Sequence, residues 1–196
     1  GFFGITGNIA LLAAIKFRSP ASWKSYSILL TNCALIDLSA CISSSFSAER
    51  MIPFEDITVS VYLGPCVLVS GFACHVLHSI MLHTMAQSLF LIVVAFCYRL
   101  YVIGRPPPSP LKMIIFCIII YLPTFVMLIL AFYTNDPPNE VREAFRVLHP
   151  DHFVDDYLIE GHVDIAPRPL ARIIQAYMIL PIVPLLILVF AVRAKV

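Results

Sequence analysis

Residues 95–101 read Ala95-Phe96-Cys97-Tyr98-Arg99-Leu100-Tyr101 and close an apolar run that starts near Cys66. Between Cys66 and Tyr98 there is no Lys, Arg, Asp or Glu. At about 1.5 Å per residue the run makes roughly 50 Å of helix, more than the roughly 30 Å hydrocarbon core of a bilayer. An uncharged run of that length, stopped by an arginine between two tyrosines, reads as a membrane span ending at the interface, its surplus length taken up by tilt or protrusion. The arginine has two readings. It is an anchor snorkelling to the headgroups, or a permanent charge with several donors presented to a partner.

Composition agrees with the membrane reading. Of the 196 residues, 60% are hydrophobic and 13% charged, against roughly 25% charged in soluble domains. Mean hydropathy is +0.89. Net charge is +1 and no basic stripe is present, so nucleic acid is not an expected partner. Apolar stretches fall at about 1–15, 26–48, 66–98, 113–133 and 169–192, and together they predict an all-α, multi-pass transmembrane bundle in a single domain. The chain opens on Gly1 inside an apolar segment and stops just after a basic cluster, as expected of an interior piece of a longer protein.

The loops alternate in charge. Lys16, Arg18 and Lys24 in 16–25, Arg99, Arg105 and Lys112 in 99–112, and Arg193 and Lys195 in 193–196 are unaccompanied by acids. The loops 49–65 and 134–168 hold an excess of acids. By the positive-inside rule the basic loops are cytoplasmic and the chain starts outside. Arg105-Pro106-Pro107-Pro108-Ser109-Pro110 cannot continue a helix and turns the chain between spans three and four. Asn135-Asp136-Pro137-Pro138 ends span four, and Glu140 to His149 is a candidate short helix. The acids of 134–168 read as a solvated face.

Polar groups at membrane depth are few, and each carries a cost that usually has a purpose. Asp37 lies mid-span, with Asn8 the nearest candidate partner by depth; the pair is either a structural hydrogen bond or a switch. Ser39, Ser43 and Ser47 share one helical face and read as a packing stripe. His75 and His78 are three apart on one face, with His83 about 80° round at about 100° per residue. With Ser79, Leu82, and Gln175 and Tyr177 of the fifth span, they either line a polar ligand cavity or hydrogen-bond between helices. A zinc site built from two of these histidines with His149, Asp151 and His152 is an alternative that requires three or four ligands to converge. Of the six cysteines only Cys66 lies clearly near the outer surface; it is expected to be unpaired within this chain, and the others, Cys74 included, read as small apolar residues. No phosphate loop, Gly-x-Ser-x-Gly or His-Glu-x-x-His occurs, so no enzyme activity or cofactor is expected.

Several short motifs carry a resemblance. Gly7-Asn8, the Asn32 to Asp37 segment and Tyr98-Arg99 resemble elements of rhodopsin-like receptors, with Tyr98 where those carry an acid. Lys24-Ser25-Tyr26-Ser27-Ile28-Leu29-Leu30, Tyr62-Leu63-Gly64-Pro65-Cys66, Phe96-Cys97-Tyr98-Arg99, Glu160-Gly161-His162-Val163, and Leu180-Pro181 with Pro184 are similar to the nematode serpentine chemoreceptors of class delta, over nearly the whole chain. The resemblance implies the first five spans of a seven-span G-protein-coupled receptor in the plasma membrane of sensory neurons. It implies a small-molecule chemical ligand and a heterotrimeric G protein as partners, with Tyr98 and Arg99 at the coupling face and Asn8 and Asp37 as a polar switch. Without an acid before Arg99, an ionic lock cannot form locally. A transporter and a non-functional receptor fragment are the alternatives; no paired halves of the kind transporters use are seen.

Overall fold

The computed structural model describes residues 1–20, 23–54, 57–134, 136–148, 157–163, 167–180 and 182–193. Helices α1 (Phe2–Arg18), α2 (Lys24–Ser47), α3 (Gly71–Gly104) and α4 (Pro110–Ala131) pack as a bundle, α2 and α3 most extensively. Three of them, α2, α3 and α4, are long and apolar enough to cross a membrane. Leu29, Ile36, Leu91, Met113 and Cys117 form their common core, with Tyr26, Tyr98 and Tyr121 packed on it.

The outside of this bundle is as apolar as its inside. On α4, Ile114, Ile115, Phe116, Ile118, Ile119, Leu122 and Phe125 are all exposed, while Thr124 is buried. On α3, His75, Ser79, His83, Thr84 and Gln87 point inward. A water-facing protein could not leave such a surface open, whereas hydrocarbon solvates it. The fold is therefore a multi-pass membrane bundle, as the hydropathy predicts.

The fifth apolar stretch is two helices, α6 (Pro169–Ile179) and α7 (Ile182–Arg193). Pro181 of the Leu180-Pro181 pair quoted above lies outside the described residues, as do Glu55, Asp56, Asn135, His149, Asp151, His152 and Lys195. The candidate short helix is present as α5 (Pro138–Leu148).

One element was not anticipated. Strands β1 (Glu49–Phe54), β2 (Ile57–Tyr62) and β3 (Leu158–His162) form an antiparallel sheet in that order. It joins the two acidic loops, which hydropathy treats as separate connections. Register pairs Ser60 with Glu160, Tyr62 with Leu158, Thr58 with His162, and Glu49 with Tyr62. Side chains alternate between faces along a strand, so the sheet has two different sides. Val59, Val61 and Ile159 face α5 and bury Val141 and Phe145. Glu49, Ser60, Tyr62, Glu160 and His162 lie on the other side, over the start of α3.

The sheet is stapled to the bundle. Cys66 and Cys74 form a disulfide, with Cα atoms 5.1 Å apart. This corrects the expectation that Cys66 is unpaired and Cys74 a membrane hydrophobe. The physical reason is where the helix starts. Residues Pro65–Leu68 form a 3-10 turn and α3 begins only at Gly71, so Cys74 sits in its first turn beside Cys66. Ser70 caps α3, its hydroxyl accepting from the Ala73 N–H at 3.1 Å. Gly64 lies against the end of α2: a Cβ there would stand 2.1 Å from the Phe46 carbonyl oxygen. Its N–H donates to the Ser47 carbonyl at 3.0 Å, which locks the α2–β1 corner onto the turn before α3.

Candidate functional site

At the sheet end, α3, α4, α6 and β3 enclose a cavity of about 100 Å³, room for several waters or a small ligand. His75, His78, Ser79, Leu82 and His83 line it from α3, and Tyr177 from α6. All six were singled out from sequence. The structure adds Thr124, Met127, Leu128 and Ala131 of α4, Ile174 of α6, and His162 of β3. Gln175 is exposed on α6 and is not among the lining residues. The helical turn of α6 that presents Ile174 and Tyr177 inward carries Gln175 away from them.

Two glutamates stand behind the histidines. His75 Nδ1 is 3.3 Å from Glu160 Oε2, and His78 Nδ1 pairs with Glu49 Oε2. The Tyr62 hydroxyl donates to Glu160 Oε2 at 3.2 Å. Burial, then the Glu160 and Glu49 carboxylates, push the Tyr62 phenol well above its ordinary pKa, so it serves as a donor. His162 is held below the usual histidine range, first by burial and then by His75 and His78 nearby. The reading of the 134–168 acids as a solvated face holds for Glu140 and Glu143, which are exposed. It fails for Asp136 and Glu160, which are buried. Asp136 pairs with Arg168 and accepts from the Val163 N–H at 2.9 Å, fixing the chain beside β3.

Deeper along α3, His83 is only 4% exposed. Its ring meets Tyr121 edge-on at 5.1 Å. The Thr124 backbone approaches it, but neither ring nitrogen makes a hydrogen bond of ordinary geometry with the described residues. One turn further, Gln87 is fully buried and its Oε1 accepts from the Thr124 hydroxyl at 2.7 Å. Gln87 was missed by sequence reading; a lone amide at membrane depth was its only signal. Among the described residues, no three His, Cys, Asp or Glu side chains converge as metal ligands.

Asp37 is bound across the α2–α3 interface, where the Ser88 hydroxyl donates to its Oδ1 at 2.5 Å. The expected pairing with Asn8 is replaced: Asn8 Nδ2 donates within its own helix to the Gly4 carbonyl at 2.9 Å. In the serine stripe, Ser43 and Ser47 are buried and Ser39 is exposed.

At the opposite end, Arg99 is exposed and spans back to α2. Its Nη2 and Nε donate to the Tyr26 hydroxyl at 2.9 and 3.3 Å. The guanidinium lies over the Tyr26 and Phe96 rings at 5.9 and 5.6 Å. Tyr98 stacks on Tyr26 at 5.4 Å. The Ser25 hydroxyl donates to the Pro108 carbonyl at 2.5 Å, tying the proline-rich turn to the same corner.

An apolar-clad bundle with a polar cavity at one end and a tethered arginine at the other defines a multi-pass helical membrane protein. The chain belongs to the family of serpentine-type seven-transmembrane G-protein-coupled chemoreceptors called Srd, whose model matches residues 1–196. It is similar to serpentine receptor class delta-1 of Caenorhabditis elegans, 29% identical over 199 residues, covering 98% of this chain and 53% of that protein. It is also similar to class delta-3, 29% identical over 165 residues, covering 83% and 47%, and to class delta-2, 28% identical over 189 residues, covering 93% and 52%. The chain thus spans about half the length of these curated relatives. No solved structure matches.

Proposed function

We propose that this chain forms the ligand-binding part of a chemosensory receptor. A small-molecule cue sits in the sheet-end cavity against His75, His78, Ser79, Leu82, His83 and Tyr177. The sheet end faces outward, and the basic loops face the cytoplasm, where Tyr98 and Arg99 meet a heterotrimeric G protein. The cell is a sensory neuron, with the receptor in its plasma membrane. Cue binding shifts a two-state equilibrium of the helices, and Asp37 lies in the path that links the two ends.

The observation that carries this reading is the cavity itself: polar groups from four elements converge on one space at one end of a bundle with an apolar outer surface. The test is a cue response in cells expressing the complete receptor. Ala131→Trp fills the cavity from α4 and is expected to abolish the response with surface delivery intact. An undiminished response with the tryptophan in place contradicts the reading.

A further inference from the structure

Among the described residues, the titratable side chains that line the cavity are four imidazoles and one phenol. His75, His78 and His83 come from α3 and His162 from β3. Among the described residues, no Asp, Glu, Lys or Arg lines the cavity. Among the described residues, the carboxylates behind the histidines are already engaged, Glu160 by His75 Nδ1 and Tyr62, and Glu49 by His78 Nδ1. Asp136, beyond β3, is taken up by Arg168 and the Val163 N–H. From α4 and α6 the neighbouring titratable groups are phenols, Tyr121 against His83 and Tyr177 in the wall.

An ammonium group entering this space finds no carboxylate among the described wall residues to replace its water, and it stands among rings that can only gain positive charge. Desolvating an unpaired cation costs several kcal/mol or more. An anion meets the reverse situation. Each imidazole can take up a proton and become a two-way donor. His83 adds a specific position: it is almost wholly buried, faces the cavity, and has no hydrogen-bond partner of ordinary geometry among the described residues. Leu82, Ala86, Met127, Leu128 and Ile174 give the wall an apolar part, which suits a short apolar tail.

We propose that the ligand class of this cavity is a small weak acid, a short-chain carboxylate whose head is bound by His83 and the His75–His78–His162 group and whose tail lies on the α4 side. This rests on the cavity being the ligand site. Binding draws protons onto the histidines, so affinity rises as pH falls from 8 to 6. No covalent step is involved.

The experiment uses the complete receptor in lipid nanodiscs and three probes matched in size: pentanoate, pentylamine and pentan-1-ol. Saturation-transfer NMR reads binding at pH 6 and pH 8, with Ala131→Trp as the blocked control. Pentanoate is expected to bind at pH 6 and to weaken about tenfold or more at pH 8, as linkage of one or more protons requires. Pentylamine is expected not to bind. His83→Ala, and independently His162→Gln, are expected to lower pentanoate affinity about tenfold and remove part of its pH dependence, leaving pentanol binding in place. Pentylamine binding as tightly as pentanoate, or a pentanoate affinity equal at both pH values, overturns the weak-acid assignment. Pentanol binding that Ala131→Trp blocks, without pentanoate binding, overturns the assignment but leaves the cavity as a ligand site. Absence of any binding that Ala131→Trp blocks overturns the assignment and counts against the cavity as well.

Discussion

Arg99 is held by the hydroxyl of Tyr26, 2.9 Å from its Nη2, across the gap between α3 and α2. The guanidinium thus has a neutral partner on another helix, and Tyr98 stacks on the same tyrosine ring. A hydrogen bond to an exposed charged group is worth about 1 kcal/mol after solvent competition. That is enough to bias a two-state equilibrium roughly fivefold and weak enough to be released. Tyr26→Phe keeps the ring stack and removes only the hydroxyl. The expected outcome is raised cue-independent G-protein activation in the complete receptor, by up to about fivefold, with unchanged surface delivery. A basal activity equal to wild type contradicts a restraining role for this contact.

Ser88 is the donor to Asp37 in the α2–α3 interface. Ser88→Ala leaves a half-buried carboxylate without that bond, a loss of about 1–3 kcal/mol. Asp37→Asn keeps an acceptor oxygen for Ser88 and is expected to cost less. Asn8→Ala is expected to be near neutral for α2–α3 packing, since Asn8 bonds to its own helix. Thermal unfolding of purified protein in detergent ranks the three; equal losses for Asn8→Ala and Ser88→Ala contradict the assignment of partners.

The bundle was legible because its signal is collective: long uncharged runs between loops of alternating charge. Five of the cavity's histidine, serine and leucine positions were legible for a similar reason, since they share a turn-by-turn spacing on one helix. Tyr177 was legible as a polar ring at membrane depth. What sequence reading missed depends on partners far apart in the chain. The Ile57–Tyr62 alternation of Ile, Val and Val with Thr, Ser and Tyr was a strand signal in itself, but nothing local pairs it with Leu158–His162. Glu160 looks like one more solvated acid until that pairing carries it over His75. Cys66 and Cys74 were separated by a helix start placed five residues too early. Tyr26 and Ser88 are ordinary span residues until the neighbouring helix supplies Arg99 and Asp37.

The sheet and disulfide form one cap. Cys74→Ser removes a short covalent loop worth about 2–3 kcal/mol. Phe145→Ala empties the core between α5 and the sheet, costing about 3–5 kcal/mol locally. Both are expected to speed amide hydrogen exchange in β2 and β3 while leaving the centres of α2 and α3 protected. Uniform loss of protection through the bundle contradicts a separable cap.

His162 gives the cap a pH dependence whose sign is fixed by its environment. Its folded pKa lies below the ordinary 6.5, so the unfolded cap binds more protons between the folded value and 6.5. Stability contributed by neutral His162 is present above 6.5 and is lost as pH falls through the folded pKa. Exchange of the β3 amides in ligand-free receptor is expected to quicken from pH 7 to pH 5.5, after correction for intrinsic rates. His162→Gln is expected to flatten that change; an unchanged slope contradicts the role of this residue.

The most direct measurement is the accessibility of the cavity wall. In the complete receptor with Cys33, Cys41, Cys97 and Cys117 replaced by alanine, Leu82→Cys places one thiol on the wall. A membrane-impermeant methanethiosulfonate is applied to intact cells. Labelling from outside is expected, slowed when an activating cue is present. Labelling only after permeabilisation, or a rate the cue does not change, contradicts an outward-facing ligand cavity at the sheet end.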